Sequence, residues 1–277
     1  MTNLTEICGW GRYPKQDARL HAPSSRASLD SIFKQENCFI ARGMGRSYGD
    51  SANAPDVLQT TYINHFIEFD KVTGKLTAEA GITLRDILKV IVPKGWFLPV
   101  TPGTSYVTLG GAIASDVHGK NHHVAGTFGQ HVTSMSLLLG TGKVVTTSQY
   151  NHADLFHATC GGMGLTGVII SATIQLLPIR SSFISQKTIK ADCIEAAYEA
   201  FESNYEATYS VAWIDCLTKG KHLGRSVLIL GEHSEEGGLD INLREPIAVP
   251  FNAPSVLLNS ITMKAFNAAY WHKAKDN

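Results

Sequence analysis

Three glycine-rich segments set the strongest limit on how this chain can fold. They are ARGMGRSYGDSAN at residues 41–53, TPGTSYVTLGGAIASDVHGKNHHVAGTFGQH at residues 101–131, and CGGMGLTGVII at residues 160–170. Closely spaced glycines let the backbone approach a bulky anionic ligand, and the histidines and lysine of the middle segment can handle protons beside it. One phosphate group does not need three such loops. The pattern therefore predicts a site for one large, extended cofactor.

The order of elements around the third segment excludes the common dinucleotide-binding fold. Gly162, Gly164 and Gly167 have GxGxxG spacing, but that fingerprint requires a strand before the glycines and a helix after them. Here the helical pattern of residues 152–160 comes first and the β-branched run at 168–177 follows, so the order is reversed. A Walker loop is also excluded, because GxxxxGK followed by Ser or Thr does not occur.

Composition and cysteine usage narrow the class of protein. The 277 residues are 44% hydrophobic with a formal net charge of zero, which suits one large domain or two smaller ones and does not indicate nucleic-acid binding. The five cysteines are scattered without CxxC spacing, so neither a disulfide framework nor a zinc site is predicted. The N-terminus lacks a signal-peptide pattern, and no window reaches the roughly 18 apolar residues of a membrane span. We therefore expect a cytoplasmic protein.

The pattern of apolar residues predicts an α+β fold with three parts. Strand-like runs and a helix at residues 83–92 form a first subdomain that ends near residue 95. Two strands joined at Thr141 and Gly142, followed by a helix and a strand, form a second subdomain that ends near residue 180. A different module then begins near residue 181. Its predicted strands lie at 183–189, 209–217 and 225–233, around a helix at 193–205.

The ordered motifs resemble those of one enzyme family. The series ARGMGRSYGD, AEAGITLRDIL, PVTPGTSYVTLGGAIASDVHGKNHH and FHATCGGMGLTGVI is similar to the FAD-binding domain of the vanillyl-alcohol oxidase and p-cresol methylhydroxylase family. Within it, the likeness is greatest to the decaprenylphosphoryl-ribose 2-oxidases. The resemblance implies a two-subdomain FAD-binding domain of the p-cresol methylhydroxylase type at residues 1–180, followed by an antiparallel-sheet substrate domain at 181–277. We expect this substrate domain to be incomplete, because in the family it is larger and the chain afterwards returns to the FAD domain.

The resemblance also implies which residues hold the cofactor. Gly43 and Gly45 would let the backbone curl around the pyrophosphate, and Arg46 would add charge, with a surface salt bridge as the alternative role for Arg46. Thr108 would begin a short helix whose small residues touch the cofactor. The predicted cofactor-binding residues are Arg42, Gly43, Met44, Gly45, Arg46, Ser47, Tyr48, Pro102, Gly103, Thr104, Thr108, Gly110, Gly111, Ala112, Ser115, His118, Gly119, Asn121, Gly164, Gly167 and Ile169. Relatives with covalent flavin often carry a histidine in the first loop, where this chain has Arg-Ser-Tyr, so we predict non-covalent FAD.

The histidines of the DVHGKNHH segment raise two alternatives. The resemblance implies a flavin-facing, catalytic role for His118, assisted by Lys120, whereas a lone histidine is otherwise a neutral core residue. Zinc binding by His118, His122 and His123 is not predicted, because the HExxH pattern is missing and Gly119 breaks the helix. In the third segment, His157 and Cys160 are predicted to pack in the core rather than to form a catalytic pair.

The chemistry implied by the family is oxidation of a sugar hydroxyl by hydride transfer to flavin N5. The implied substrate is a polyprenyl-phosphate ribose oxidised at its 2-hydroxyl, as in the oxidase half of a 2-epimerisation that makes cell-wall arabinan precursors. A separate NADH-dependent reductase would be the partner, and any membrane association would be peripheral. Trp213 is the candidate aromatic wall for the sugar, with a core position as the alternative. Two other functions stay open, an aldonolactone or alditol oxidase and a non-catalytic flavin-binding or partner module.

Overall fold

The chain folds into two compact units, Met1–Ile179 and Arg180–Asn277. The computed structural model describes residues 4–35, 38–242, 254 and 258–276. Each unit contains both helices and sheet. The second unit begins next to residue 181, where the sequence predicts a different module.

The first sheet of the first unit carries the glycine loop at residues 43–53. Its strands are β1 (Leu4–Cys8), β2 (Lys15–His21), β3 (Ile40–Arg42) and β4 (Asp56–Gln59), in the order β1-β2-β4-β3. The pairs β2/β4 and β3/β4 are parallel, and helix α1 (Arg26–Gln35) connects β2 with β3. Because β3 ends at Arg42, the glycine loop begins directly at the carboxyl end of a parallel strand, a common position for ligand-binding loops.

The second sheet is antiparallel and contains strands from distant parts of the chain. It consists of β5 (Phe66–Asp70), β6 (Lys75–Glu79), β8 (Val132–Leu138), β9 (Val144–Thr147) and β10 (Val168–Gln175), in the order β5-β6-β10-β8-β9. Strands β5 and β6, which the sequence analysis assigns to the first subdomain, pair in this sheet with strands of the predicted second subdomain. The sequence pattern reveals such strands but not their partners: Thr77 pairs with Thr173, almost a hundred residues away.

Short helices fill the connections of the first unit. Helix α2 (Leu84–Ile91) is capped by the Thr83 side chain, which accepts a hydrogen bond from the Asp86 N–H, and it continues as a 3-10 turn through Pro93. The other helices are α3 (Leu109–Ala114), α4 (His122–Ala125) and α5 (Ala153–Thr159). Two short strands, β7 (Trp96–Phe97) and β11 (Leu177–Pro178), pair with each other.

One apolar cluster joins the two sheets of the first unit. Leu29 of α1 and Leu58 of β4 pack with Leu138 of β8 and Val168 of β10, and all four are almost fully buried. Each such side chain contributes roughly 1.5–3 kcal/mol when it leaves water. The two sheets therefore share a core, and the three glycine segments are attached to one packed scaffold.

In its described residues, the second unit contains a three-stranded antiparallel sheet and two α-helices. Its elements are β12 (Ile184–Ala191), α6 (Ile194–Glu202), β13 (Tyr209–Ile214), β14 (Ser226–His233) and α7 (Ser260–Lys273), and the sheet order is β12-β14-β13. Asp215, which is 1% exposed, accepts hydrogen bonds from Arg225 at 2.8 Å and from Asn267 of α7 at 2.7 Å. This buried carboxylate ties α7 to the sheet.

Candidate cofactor site

The three glycine-rich segments meet at one cavity of about 400 Å³ in the first unit. Fourteen of the predicted cofactor residues line it, and they come from all three segments. They are Arg42, Gly43, Met44, Gly45, Arg46, Ser47, Tyr48, Thr108, Gly110, Gly111, Ser115, Gly164, Gly167 and Ile169. The strands that carry these segments belong to both sheets, so the cavity depends on long-range pairing.

Nine lining residues were not expected from the sequence. They are Ala41, Ser51, Ala52, Thr60, Ala80, Val107, Ala114, Val117 and Met163. Thr60 and Ala80 follow strands of the two different sheets, and only the pairing of those sheets brings them to the cavity. The others lie inside the three segments, where small and apolar residue types are the only local signal.

The first loop presents a row of unused backbone donors. Among the described residues, no N–H group of residues 43–52 donates a hydrogen bond to another backbone or side-chain group. Gly45 and Gly49 have φ values of 62° and 65°, which favour glycine and let successive N–H groups turn toward one side. Such a row of N–H groups is typical of a site for anionic oxygens.

The two arginines of this loop play different parts. Arg42 already donates to the carbonyls of Ala52 (3.0 Å) and Cys8 (2.7 Å) and to Asn53 Oδ1 (2.8 Å), and burial lowers its pKa. Arg46 has a buried Nε with no hydrogen-bond partner among the described residues. The alternative of a surface salt bridge finds no acidic partner for Arg46 there either. Arg42 therefore shapes the loop, whereas Arg46 lines the cavity and no described residue accepts from its Nε.

Close contacts at the start of α3 explain its glycines. The Thr108 side chain caps α3 by accepting the Gly111 N–H at 3.1 Å. A Cβ atom on Gly43 would lie 2.3 Å from Thr108 Oγ1, and one on Gly111 would lie 2.9 Å from it. A Cβ atom on Gly110 would meet the Ala80 Cβ at 2.9 Å. These glycines allow the first loop, α3 and the second sheet to approach one another around the cavity.

The remaining predicted cofactor residues are not among those that line this cavity. They are Pro102, Gly103, Thr104, Ala112, His118, Gly119 and Asn121, and Lys120 does not line it either. Ala112 is fully buried, because it occupies the face of α3 that packs into the core. Asn121 is also buried and donates from Nδ2 to the Pro99 carbonyl at 2.8 Å, while its Oδ1 has no partner among the described residues.

His118 is exposed, which contradicts the alternative of a core histidine. Its backbone forms an isolated β-bridge with Thr127, and its ring centroid lies 6.0 Å from that of His122. Lys120 is exposed as well. In the described residues no group of three or more His, Cys, Asp or Glu side chains is arranged to hold a metal ion.

His157 and Cys160 lie in different surroundings, since Cys160 is closely packed and His157 is exposed. Burial, assisted by Asp116, raises the pKa of the Cys160 thiol to about 11, so this thiol is neutral and unreactive at pH 7. A Cβ on Gly129 would lie 3.0 Å from the Cys160 Sγ, which shows how closely this thiol is packed. The predicted core position is wrong for His157, whose exposed ring only edges against Phe156 at 5.4 Å.

Trp213 lies in the second unit on β13. It is partly buried and packs against Tyr270 of α7, with ring centroids 4.7 Å apart and ring planes tilted by 41°. Its ring is therefore supported by a neighbouring aromatic ring without being enclosed in a core.

Comparison with known proteins agrees with the geometry of the cavity. Residues 21–148 match the family described as FAD binding domain. The chain is 37% identical over 266 residues to decaprenylphosphoryl-beta-D-ribose oxidase of Mycolicibacterium smegmatis. The aligned region covers 92% of this chain and 58% of that relative. The chain is also 33% identical over 118 residues to L-gulonolactone oxidase of Mus musculus, and this aligned region covers 42% of the chain and 26% of the relative.

A more distant relative is D-arabinono-1,4-lactone oxidase of Kluyveromyces lactis, with 22% identity over 187 residues, 66% of this chain and 34% of that protein. The chain thus spans little more than half the length of the mycobacterial relative and a quarter to a third of the lactone oxidases. No helix in the described part of the chain has the length and apolar character needed to cross a bilayer. Residues 21–148 therefore carry a domain of the FAD-binding family, and the matching relatives indicate FAD as its cofactor.

Proposed function

We propose that the protein binds FAD non-covalently in the cavity of the first unit and oxidises a hydroxyl group of a phosphorylated sugar. The observation that carries this proposal is the row of free N–H groups at residues 43–52 beside the unpaired Arg46 Nε. A pyrophosphate offers the anionic oxygens that such donors require.

The residues present fit both the central pyrophosphate and the ring systems of FAD. Residues 43–48 and Arg46 would hold the pyrophosphate, while apolar side chains such as Val107, Val117 and Ile169 line other parts of the cavity and suit ring systems. When bound, FAD supplies a hydride acceptor for carbon–hydrogen oxidation. The protein's own residues bind the cofactor, orient the sugar and take up the hydroxyl proton.

The absence of a tethering residue supports non-covalent binding. None of the described residues that line the cavity is a histidine or a cysteine. Acid precipitation of the purified protein should therefore release the yellow flavin into the supernatant. Colour that stays in the pellet would contradict the non-covalent assignment.

His118 and Lys120 are proposed to handle the proton of the sugar hydroxyl. Both side chains are exposed rather than used in packing, and imidazole and amine groups are among the side chains that transfer protons in enzymes. Trp213 is proposed as the aromatic wall for the sugar, because its ring packs on Tyr270 but stays partly exposed.

The preferred substrate is a polyprenyl-phosphate ribose oxidised at its 2-hydroxyl. The support is the relative named decaprenylphosphoryl-beta-D-ribose oxidase, whose similarity extends across 92% of this chain, including the second unit. The keto product would need an NADH-dependent reductase to complete a 2-epimerisation, and the lipid tail of the substrate would bring the protein to a membrane surface.

A lactone oxidase is the second candidate, favoured by relatives with those names. Anaerobic mixing of the flavin-loaded protein with a short-chain polyprenyl-phosphoryl ribose should bleach the flavin absorbance, and L-gulono-1,4-lactone should not. The reverse result would favour the lactone oxidase. Protein that binds FAD but is bleached by neither would support a non-catalytic flavin-binding module.

A further inference from the structure

A short N-terminal segment, Cys8–Arg12, packs directly on the first glycine loop. The Trp10 N–H donates to the Ser47 carbonyl at 2.8 Å, and the Cys8 carbonyl accepts from Arg42 Nη2 at 2.7 Å. A Cβ atom on Gly9 would lie 2.6 Å from the Ser47 carbonyl oxygen and 2.7 Å from that of Gly49. The backbone of this N-terminal segment is therefore in contact with the loop that lines the cavity.

The side chain of Trp10 holds the side chain of Arg46. The Arg46 guanidinium carbon lies 5.0 Å from the Trp10 ring centroid, a distance typical of a cation–π contact. Arg46 lines the cavity, whereas Trp10 does not and is 50% exposed. Trp10 thus contacts a residue of the cavity lining without lining the cavity itself.

The unsatisfied donor of Arg46 indicates what the contact is for. Its Nε is buried and has no hydrogen-bond partner among the described residues, although a buried donor without a partner is costly. Arg42, four residues earlier at the end of β3, has protein acceptors for both of its terminal nitrogens. Arg46 lines the cavity, and no described residue fixes its guanidinium by a hydrogen bond to Nε.

We propose that Trp10 is a positioning residue for cofactor binding, which holds the Arg46 guanidinium so that it donates to a phosphate oxygen of FAD. This inference rests on the proposed function, because it takes FAD to be the ligand. The free N–H groups of residues 43–52 lie in the same loop and suit the same pyrophosphate oxygens. The flat indole ring fixes the planar guanidinium, so that less rotational freedom is lost when the hydrogen bond forms.

The test is a double-mutant cycle on FAD affinity, measured with the full chain after removal of its flavin. Trp10→Leu should weaken FAD binding roughly three- to tenfold, and Trp10→Phe should retain most of the affinity. Arg46→Met should weaken binding at least as much, and adding Trp10→Leu to it should cause no further loss, because Trp10 acts through Arg46. Tyr150→Leu is the matched control, since this aromatic side chain is 95% exposed in the same unit.

The same titration with riboflavin, which lacks the pyrophosphate, identifies the ligand group. Its affinity should be equal in the original protein and in Trp10→Leu, and an equal loss for riboflavin and FAD would overturn the assignment to phosphate. Additive losses in the cycle would show that Trp10 only packs the loop. If Trp10→Leu does not fold, Trp10→Gln replaces it in the same cycle, since it also removes the aromatic ring and suits a half-exposed position. An original protein that binds no FAD would overturn the proposed function itself, whereas FAD binding that is indifferent to Trp10 would overturn only this inference.

Discussion

At the scale of single residues, the chemical type of a side chain does not by itself assign its role. Arg42 and Arg46 are four positions apart in one loop, yet three protein acceptors occupy Arg42 and none of the described residues accepts from Arg46 Nε. The sequence predicts both as cofactor residues, because the glycine pattern around them is local. Cys8, Ala52 and Asn53 supply the acceptors for Arg42, and only the folded loop brings them within reach of it.

Gly111 provides a residue-scale prediction about the cavity. Gly111→Val should abolish FAD binding while the protein stays folded, because the added atoms would displace the Thr108 cap, whose Oγ1 lies 2.9 Å from a Cβ at this position, and would enter the cavity. Gly140→Val is the control, since a Cβ there meets nothing within 4 Å. Flavin absorbance per protein, measured after purification, reports the result. Normal flavin content in Gly111→Val would place the cofactor elsewhere.

His118 provides the corresponding prediction about catalysis. Because the side chain is exposed, His118→Ala should leave the melting temperature almost unchanged. Flavin reduction by the substrate should slow on the order of a hundredfold or more, as expected when a positioned proton-handling group is lost. Rapid-mixing kinetics and thermal melting on one preparation test both statements. His122→Ala is the control, because His122 is also exposed and lies close to His118. Normal reduction kinetics would remove His118 from the catalytic assignment.

At the scale of elements, local pattern predicts strands and helices better than it predicts their partners. Helix α2 and strand β10 lie where the apolar periodicity and the β-branched run predict them. The assignment of β5 and β6 to the first subdomain was wrong, since pairing of Thr77 with Thr173 carries no local signal. The polar strands β1 and β2 have no apolar run, and they were not predicted.

Strands β2 and β4 are joined by a partly buried ion pair, Arg19–Asp56, whose contribution should depend on pH. Hydrogen bonds from Arg19 and then from His21 lower the pKa of Asp56 to about 2. Because the pKa of Asp56 is lower in the folded protein than its unfolded value of 3.8, its charge stabilises the fold fully at pH values above 3.8. This contribution decreases below that pH and is lost as the pH falls through about 2. Asp56→Asn should therefore reduce the free energy of unfolding at pH 7 by on the order of 1 kcal/mol, and by less at pH 3.

Urea unfolding at the two pH values measures this difference. Asp17→Asn is the control, because Asp17 is exposed on β2, the same strand as Arg19. A destabilisation by Asp56→Asn that is equal at pH 7 and pH 3 would show that the charge of Asp56 does not contribute.

Helix α7 of the second unit depends on one buried carboxylate. Asp215→Ala should destabilise this unit by about 3 kcal/mol, because it leaves the largely buried Arg225 without its partner and Asn267 without its acceptor. The exposed pair Arg180–Glu235 in the same unit is the control, and Glu235→Ala should cost less than about 1 kcal/mol. Equal effects of the two substitutions on urea unfolding would contradict the anchoring role of Asp215.

At the scale of the whole molecule, the cofactor and the proposed substrate wall belong to different compact units. Every described residue that lines the cavity lies between residues 41 and 169, inside the unit Met1–Ile179, whereas Trp213 lies in Arg180–Asn277. The sequence predicts this division because the family motifs end near residue 180. The sequence could not predict that Cys8–Arg12 contacts the first glycine loop. The short motif CGWGR has no local signal for its hydrogen bonds with Ser47 and Arg42, which form only in the folded chain.

This division predicts that residues 1–180 bind FAD without the second unit. They contain the whole cavity, both sheets and the Leu29–Leu58–Leu138–Val168 cluster that joins the sheets. The fragment should purify yellow and release its flavin on acid precipitation, and the same fragment with Gly111→Val should be colourless. Its flavin should not be reduced by polyprenyl-phosphoryl ribose, because Trp213 is missing. A folded fragment that binds no FAD would show that residues beyond 180 complete the cofactor site. Reduction of the fragment's flavin by the sugar would show that the first unit alone orients the substrate.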